Sequence, residues 1–148
     1  MPVTQADSIK PRHILVIDDQ QGRRALGLEA ATYSLGRDPT CSIVLQGPGV
    51  SRQHAILLRV PVSSDYCYRI IDGNATGKPS LNGICVNEKR CAVADLKNKD
   101  QIWFGDEIKA QYYIIEMSIE EYTKYTSAAG FRSIKTKAID MQQTLTSE

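Results

Sequence analysis

Short apolar runs alternate along this chain with clusters of glycine, proline, asparagine and aspartate, and this alternation limits the folds that are open to it. The clearest run is HAILLRV at residues 54–60, which Pro61 ends. Short runs of β-branched and aromatic residues, bounded by turn residues, are typical of strands rather than helices. Strands are therefore predicted at residues 13–17, 32–35, 42–45, 54–60, 66–72, 84–86, 101–104 and 108–117.

This series of strands predicts one all-β domain. Many short strands with frequent turn signals are typical of an antiparallel sandwich or barrel. A length of 148 residues corresponds to a single domain with short extensions. Residues 1–11 are polar and contain two prolines, so we expect a flexible N-terminal arm there.

The C-terminal extension, residues 118–148, differs in character from the β-rich part. Ile119, Tyr122 and Tyr125 follow an i, i+3 spacing, which predicts a short helix within residues 118–128. The chain beyond this helix is polar and rich in threonine, lysine and glutamine. We expect that part of the extension to be disordered.

Composition and charge exclude several classes of function. Lysine and arginine total 18 and aspartate and glutamate total 17, which gives a net charge of +1. This balance argues against direct, sequence-blind binding to nucleic acid, because such binding needs clustered cations. No apolar run approaches the roughly 20 residues that span a membrane, and the N-terminus lacks the apolar region of a secretory signal. We therefore expect a cytoplasmic protein.

The cysteines do not suggest a metal site. Cys41, Cys67, Cys85 and Cys91 form no C-x-x-C pair, and the chain has only two histidines. Structural zinc sites need closely spaced cysteine and histidine ligands. We expect reduced thiols that pack as small apolar residues, and we predict neither a metal nor a cofactor.

Three loops carry polar residues of complementary chemistry. Gly36-Arg37 follows one predicted strand, Ser51-Arg52 precedes another, and Asn82-Gly83 precedes a third. Loops at one end of a sandwich are brought together by the strands that carry them. Guanidinium, hydroxyl and amide donors that converge in this way suit a phosphate monoester, which carries a charge of about −1.5 to −2 and three strong acceptor oxygens.

The ordered set of these motifs resembles the forkhead-associated (FHA) domain. G-R at residues 36–37 is followed by S-R-Q-H at residues 51–54 and by N-G at residues 82–83, and the β-rich part contains W-F-G-D-E-I at residues 103–108. The resemblance covers roughly residues 12–117. It implies a β-sandwich of about eleven strands that binds phosphothreonine peptides. A phosphothreonine-containing protein and an upstream Ser/Thr kinase are then the implied partners of a signalling adaptor.

The resemblance also implies a role for each motif residue. Arg37 and Ser51 would contact the phosphate, and Arg52 would add to the phosphate face or contact the peptide. Asn82 would hold the peptide backbone through its side-chain amide. Structural roles are implied for Gly36, His54 and Gly83.

This chain departs from the family pattern in the third loop. Leu81 stands where the family often has threonine or serine, so one hydroxyl donor is missing, and Ser80 is the candidate that replaces it. The loop Gly73–Pro79 is also longer than the usual form. These departures favour, to a small degree, an alternative function as a phospho-independent protein-interaction scaffold with the same fold.

An enzyme is the remaining alternative. Ser51, His54 and Asp72 could in principle form a catalytic triad, but triads are recognised by geometry rather than by composition. The chain has no G-x-S-x-G or Walker-type motif. His54 is predicted to share a strand face with Ile56 and Leu58, which favours a core histidine. We therefore predict no catalytic residues and no enzymatic activity.

Thr4 in the N-terminal arm is a candidate regulatory phosphorylation site. Asp7 lies three positions after it, and domains of the family that the chain resembles often select for this third position, with aspartate among the residues selected. Phosphorylated Thr4 could therefore dock in the chain's own site or in that of a neighbour, which would give self-association. Thr144 and Thr146 are weaker candidates because neither has an acidic residue three positions later.

Overall fold

The computed structural model describes residues 9–126, which form eleven strands and one helix. The strands pair in two sheets, and the helix follows the last strand. The elements are β1 (Ile9–Asp19), β2 (Gly22–Gly27), β3 (Thr32–Gly36), β4 (Ile43–Val44), β5 (Ala55–Val62), β6 (Asp65–Asp72), β7 (Ile84–Val86), β8 (Lys89–Cys91), β9 (Val93–Asp95), β10 (Gln101–Phe104), β11 (Ile108–Ser118) and helix α1 (119–126).

The two sheets make a sandwich, which confirms the predicted fold class. One sheet has the strand order β2-β1-β11-β10-β7-β8, and the other has the order β4-β3-β5-β6-β9. All strand pairs are antiparallel except the short parallel pair of β3 and β4. One continuous core lies between the sheets and includes Leu15 and Tyr112 from the first sheet with Leu57 and Tyr68 from the second, all fully buried. Burial of each such side chain contributes roughly 1.5–3 kcal/mol.

β1 is longer than the sequence predicts. It begins at Ile9, so residues 9–11 of the predicted flexible arm belong to the sheet. The cause is long-range pairing, because Ile9 lies opposite Ser118 and Pro11 lies opposite Glu116 in β11. The rest of the arm, residues 1–8, and residues 127–148 of the predicted extension lie outside the described residues.

His54 lies elsewhere than predicted. β5 begins at Ala55, and Ala55 and Leu57 face the core, whereas Ile56 is half-buried and Leu58 is exposed. The prediction that His54 shares a face with Ile56 and Leu58 was therefore wrong. His54 precedes the strand and is nevertheless fully buried, because its side chain is held by hydrogen bonds that are described below.

Helix α1 confirms the predicted helix and packs on the outer face of the first sheet. Ser118 Oγ accepts a hydrogen bond from Glu121 N at 3.2 Å, and Glu121 Oε1 accepts one from Ser118 N at 3.1 Å, which is a capping box. Tyr122 lies over Gly27, where an added Cβ atom would be only 1.9 Å from the tyrosine Oη. The absence of a side chain at Gly27 therefore makes room for the helix.

The antiparallel register defines two ends of the sandwich. The end of β1 lies beside the segment before Gly47, because Gln20 N donates to Gln46 O at 2.9 Å. This end also carries the start of β5, and we call it the groove end. The opposite end carries the start of β1, the turn between β5 and β6, and helix α1. Within residues 9–126 no helix is long and apolar enough to cross a membrane.

Candidate functional site

A groove of about 880 Å³ crosses the groove end of the sandwich. It is formed by the loop after β3, the segment before β5 and the loop before β7. The structure therefore brings together the three loops that the sequence singles out. The predicted site residues Arg37, Ser51, Arg52, Ser80 and Asn82 all line it.

Arg37 is held in the groove by its backbone and by one side-chain bond. Its N–H donates to Ser51 O at 3.0 Å, and its Nε donates to Val50 O at 3.1 Å. Within residues 9–126 its terminal guanidinium nitrogens have no hydrogen-bond partner. The side chain is exposed, so these nitrogens are free to donate to a ligand in a fork-like geometry.

His54 connects two of the site loops. Its Nδ1 accepts a hydrogen bond from Ser51 N at 2.9 Å, so Nε2 carries the proton and donates to Gly83 O at 2.8 Å. Burial lowers the pKa of this histidine, while the bond to Gly83 and the carboxylate of Asp72 act in the other direction. His54 is therefore a neutral brace between the segment before β5 and the loop before β7.

The hydroxyl of Ser51 links the same two loops. Ser51 Oγ accepts a hydrogen bond from Leu81 N at 2.9 Å. This acceptor role leaves the hydroxyl proton free to donate to a ligand. Ser51 is half-buried, and its position is fixed on both sides, by His54 through its N–H and by Leu81 through its oxygen.

Ser80 is used inside the loop rather than at its surface. Its hydroxyl donates to Asp72 Oδ1 and accepts a hydrogen bond from Gly83 N at 2.8 Å. The proton that Ser80 would need for a phosphate is thus given to a carboxylate. The geometry differs from the expectation that Ser80 replaces the hydroxyl that Leu81 lacks, and Leu81 itself is 85% exposed on the rim of the groove.

Asn82 and the two site glycines complete the loop geometry. Asn82 Nδ2 donates to Gly49 O at 2.9 Å, which joins the loop before β7 to the segment before β5. Gly83 has a φ of +77°, a conformation that favours glycine. At Gly36 an added Cβ atom would be 2.1 Å from Arg52 O, so no side chain fits there.

The charge of the groove is positive on balance. Among residues 9–126, Arg37, Arg52 and Lys78 line it together with a single carboxylate, Asp38. Arg52 Nη2 lies 3.5 Å from Asp38 Oδ2, so Asp38 pairs with Arg52 and not with Arg37. Hydrogen bonds from Thr40, and to a smaller extent Arg52, lower the pKa of Asp38.

Sequence reasoning missed two features that shape the site. Lys78 adds a cation to the wall, and Asn74 holds its loop by accepting from Lys78 N at 3.0 Å. The length of the loop Gly73–Pro79 was the only sequence signal for Lys78 and Asn74.

A buried ion pair of Arg24 and Asp19, with Nη1 to Oδ1 at 2.7 Å, is the second feature. It anchors the segment before Gly47, because Asp19 Oδ2 accepts a hydrogen bond from Gln46 N at 2.8 Å.

The triad considered from the sequence does not form. The base nitrogen of His54 accepts from the backbone N–H of Ser51, not from its hydroxyl. The other ring nitrogen bonds to Gly83 O, while the Asp72 carboxylate holds Ser80. These residues build a binding surface rather than a proton relay.

Comparison with known proteins identifies similar domains. A family model described as the FHA domain matches residues 33–105. The crystal structure of the Slr1951 protein from Synechocystis sp. is 36% identical and has a TM-score of 0.66, over 68% of this chain and 96% of that chain. Mycobacterium tuberculosis EmbR in complex with a low-affinity phosphopeptide is 27% identical, with a TM-score of 0.53, over 68% of this chain and 24% of that chain.

One curated relative is much longer than the matched region. The Synechocystis sp. protein sll1895 is 33% identical over 102 residues, which are 68% of this chain and 15% of sll1895. The chain therefore spans only a small part of the length of this relative. The similarity applies to the domain and not to the whole of sll1895.

Proposed function

Because the chain belongs to the FHA-domain family, we propose that it is a phosphothreonine-peptide-binding module that acts as a signalling adaptor downstream of a Ser/Thr kinase. The observation that carries this proposal is the pair of unused donors in the groove. The terminal nitrogens of Arg37 and the hydroxyl proton of Ser51 have no partner within residues 9–126, although both side chains are fixed by other bonds. Fixed and unpaired donors are what a ligand oxyanion requires.

The phosphate supplies most of the binding free energy in this proposal. A hydrogen bond to a charged group contributes roughly 1.5–3 kcal/mol, and Arg37 and Ser51 offer several. Arg52 and Lys78 add positive charge at the groove. The sum, less the cost of association, corresponds to micromolar binding, which is about −8.2 kcal/mol.

The loop before β7 would contact the peptide chain on either side of the phosphothreonine. Asn82 donates one amide proton to Gly49 O and keeps a second amide proton and its carbonyl oxygen for the peptide backbone. Leu81 offers an apolar surface beside it. We propose Arg37, Ser51 and Arg52 as phosphate contacts, Asn82 as the peptide contact, and Ser80, Gly36, His54 and Gly83 as the residues that hold the loops.

The proposed partners follow from this chemistry. The ligand is a protein that a Ser/Thr kinase has phosphorylated on threonine, so kinase activity would control the complex. FHA domains are interaction modules, which supports a role in binding rather than catalysis. A cytoplasmic location stays a prediction from the sequence.

The test is a titration with a phosphothreonine peptide library and the matched unphosphorylated library. Arg37→Ala should weaken phosphopeptide binding by at least about tenfold, since it removes charge-assisted bonds of about 1.5–3 kcal/mol. Arg59→Ala is the matched control, because Arg59 lies at the opposite end and bonds to Glu29 O. Equal binding of the phosphorylated and unphosphorylated libraries would refute the proposal.

One observation favours a second candidate function. Leu81 is 85% exposed and occupies the place of a hydroxyl donor, which suits a scaffold that binds an apolar segment without phosphate. That function predicts that Leu81→Ala, which removes the apolar side chain without adding a charge, weakens partner binding while Arg37→Ala does not. The phosphopeptide module predicts the reverse order of the two effects.

A further inference from the structure

We infer that residues 1–8, once phosphorylated on Thr4, dock in the groove of a second copy of this chain and not in their own groove. The partner is thus an identical molecule, and the assembly is head-to-tail. This inference rests on the proposed function, because it uses the same groove and the same phosphate contacts. It follows from the position of β1, from the threonines of the chain and from the charge of the groove.

The reach of the chain excludes docking within one molecule. β1 runs from Ile9 at the opposite end to Asp19 at the groove end, and its eleven residues span about 33 Å. Gln20, directly after Asp19, bonds to the segment that precedes Gly47 of the groove wall. From Thr4 to Ile9 even a fully extended chain covers at most about 18 Å. A phosphate on Thr4 therefore falls well short of its own groove.

Thr4 is the threonine that best suits a peptide ligand in this chain. A bound phosphopeptide must be extended, and the threonines within residues 9–126 lie in strands, turns or the helix. The hydroxyl of Thr40 bonds to Asp38 and that of Thr76 to Asn74, both in loops of the folded domain. Across the full sequence, Thr4 is also the threonine that has an acidic residue, Asp7, three positions later.

The charges of the segment and the groove are complementary. Asp7 is the one charged side chain among residues 1–8, and a phosphate on Thr4 would add about −1.5 to −2. The groove presents Arg37, Arg52 and Lys78 against Asp38. Lys78 has no ion-pair partner within residues 9–126, so it is free to meet Asp7 of an arriving segment.

The placement of donor and acceptor at opposite ends sets the symmetry of the assembly. The segment leaves one end of the sandwich and the groove lies at the other, so each molecule can give and receive one contact. Reciprocal exchange of the segment between two antiparallel molecules would close a two-fold dimer, and one-way donation would produce rings or open chains. Phosphorylation of a single threonine would then control assembly.

The experiment separates donor from acceptor with two full-length variants. The donor carries phosphothreonine at position 4 together with Arg37→Ala, which disables its own groove. The acceptor carries Thr4→Ala and an intact groove. Mixed at concentrations above the micromolar range, they should form a 1:1 complex of twice 16.4 kDa by light scattering, while each alone stays at 16.4 kDa. Phosphorylated chain with an intact groove should form larger species as its concentration rises.

Each other outcome has a defined meaning. If the phosphorylated chain with an intact groove stays at 16.4 kDa and its groove no longer accepts an external phosphopeptide, docking occurs within one molecule and the inference is overturned. If the acceptor binds library phosphopeptides but not the donor, the inference fails while the proposed function stands. If the acceptor binds no phosphopeptide at all, the proposed function fails as well. Unphosphorylated donor is the matched control, and complex formation by it would also overturn the inference.

Discussion

Each end of the sandwich buries one histidine, and the two residues are held in different ways. His54 at the groove end is 0% exposed and His13 at the opposite end is 1% exposed. Both ring nitrogens of His54 are hydrogen-bonded to backbone atoms, of Ser51 on one side and Gly83 on the other. Each bond reaches a loop that lines the groove, so the ring fixes the position of both loops.

His13 is held mainly by aromatic packing. Its ring stacks on Tyr66 with 4.3 Å between centroids, and its Nδ1 lies 2.6 Å from Tyr112 Oη. Its Nε2 is buried and has no hydrogen-bond partner in the described part of the chain, although Asp65 Oδ2 lies 3.6 Å away. The buried histidine of the opposite end therefore has one unpaired ring nitrogen, whereas both ring nitrogens of the groove-end histidine are paired.

The difference indicates where precise geometry is needed. At the groove end, polar bonds fix backbone atoms of three loops so that Arg37 and Ser51 present donors without further rearrangement. At the opposite end, packing of tyrosines around His13 stabilises the fold. Substitutions at the two ends should therefore separate effects on ligand binding from effects on stability.

The largest expected effect is that of His54→Ala against His13→Ala. Loss of His54 leaves Ser51 N–H and Gly83 C=O without partners, at about 1–3 kcal/mol each, in addition to the cavity. Loss of His13 also leaves a cavity and removes the stacking on Tyr66, but it deprives only one hydrogen-bonding group, the Tyr112 hydroxyl, of a partner. Urea denaturation should show a lower free energy of unfolding for His54→Ala than for His13→Ala, and only His54→Ala should also weaken phosphopeptide binding. Equal losses of stability would contradict the comparison.

The next effect concerns the bond between Ser80 and Asp72. We expect Ser80→Ala and Asp72→Ala each to lower the free energy of unfolding by about 1–3 kcal/mol, because each removes one partner of this bond. The double variant should lose much less than the sum, because one network is removed twice. Phosphopeptide affinity should fall in parallel for both single variants. A loss of affinity for Ser80→Ala alone would instead make Ser80 a direct ligand of the phosphate.

Acidification should destabilise both ends. Burial is the main cause that lowers the pKa of His13 and of His54 below the ordinary value of 6.5. Below that value the unfolded chain binds protons that the folded chain does not, so the free energy of unfolding falls as the pH falls from 7 toward 5. The slope is at most about 1.4 kcal/mol per pH unit for each histidine.

Denaturation of single histidine variants across this range measures the two contributions. His54→Asn and His13→Asn should each reduce the slope, since each removes one titrating group. The lowered pKa of Asp38 affects stability in a different pH range. Its contribution to the free energy of unfolding is lost as the pH falls below the ordinary value of 3.8. A wild-type stability that is flat between pH 7 and pH 5 would show that neither histidine is held neutral.

The smallest expected effect is that of Leu81→Thr. A hydroxyl at this position would add one hydrogen bond to a charged group, worth about 1.5 kcal/mol, or about tenfold tighter phosphopeptide binding. Leu81 is exposed, so stability should not change. Leu81→Ala is the control, because it removes the apolar side chain without adding a donor. Stronger binding by Leu81→Ala than by Leu81→Thr would contradict a phosphate contact at this position.

Much of the sandwich could be predicted because its longer strands carry their own pattern. β5 and β6 contain alternating apolar residues and end at turn residues. The short strands β8 (KRC) and β9 (VAD) were not predicted, because their three residues have little intrinsic preference for the β conformation. They form strands only by pairing with β7 and β6. β2 was missed for a similar reason, since GRRALG becomes a strand only through its register with β1.

The convergence of the three loops could be predicted from their motifs, but the hydrogen bonds within them could not. Arg37, Ser51 and Asn82 belong to an ordered set of loops that the chain brings to one groove. The use of Ser80 inside its loop depends on Asp72, a contact that spacing alone does not reveal. The orientation of His54 could not be predicted from spacing either, because its side chain is buried through hydrogen bonds and not through the alternation of a strand.

Phosphopeptide recognition at the groove end is tested most directly by a map of backbone amide chemical shifts during titration with a phosphothreonine peptide. We expect shifts that depend on the phosphate and concentrate in the segment Gly49–Arg52 and in Leu81–Gly83, with little change around His13 and Tyr66. No phosphate-dependent shift at the groove end, or the largest shifts at the opposite end, would contradict it.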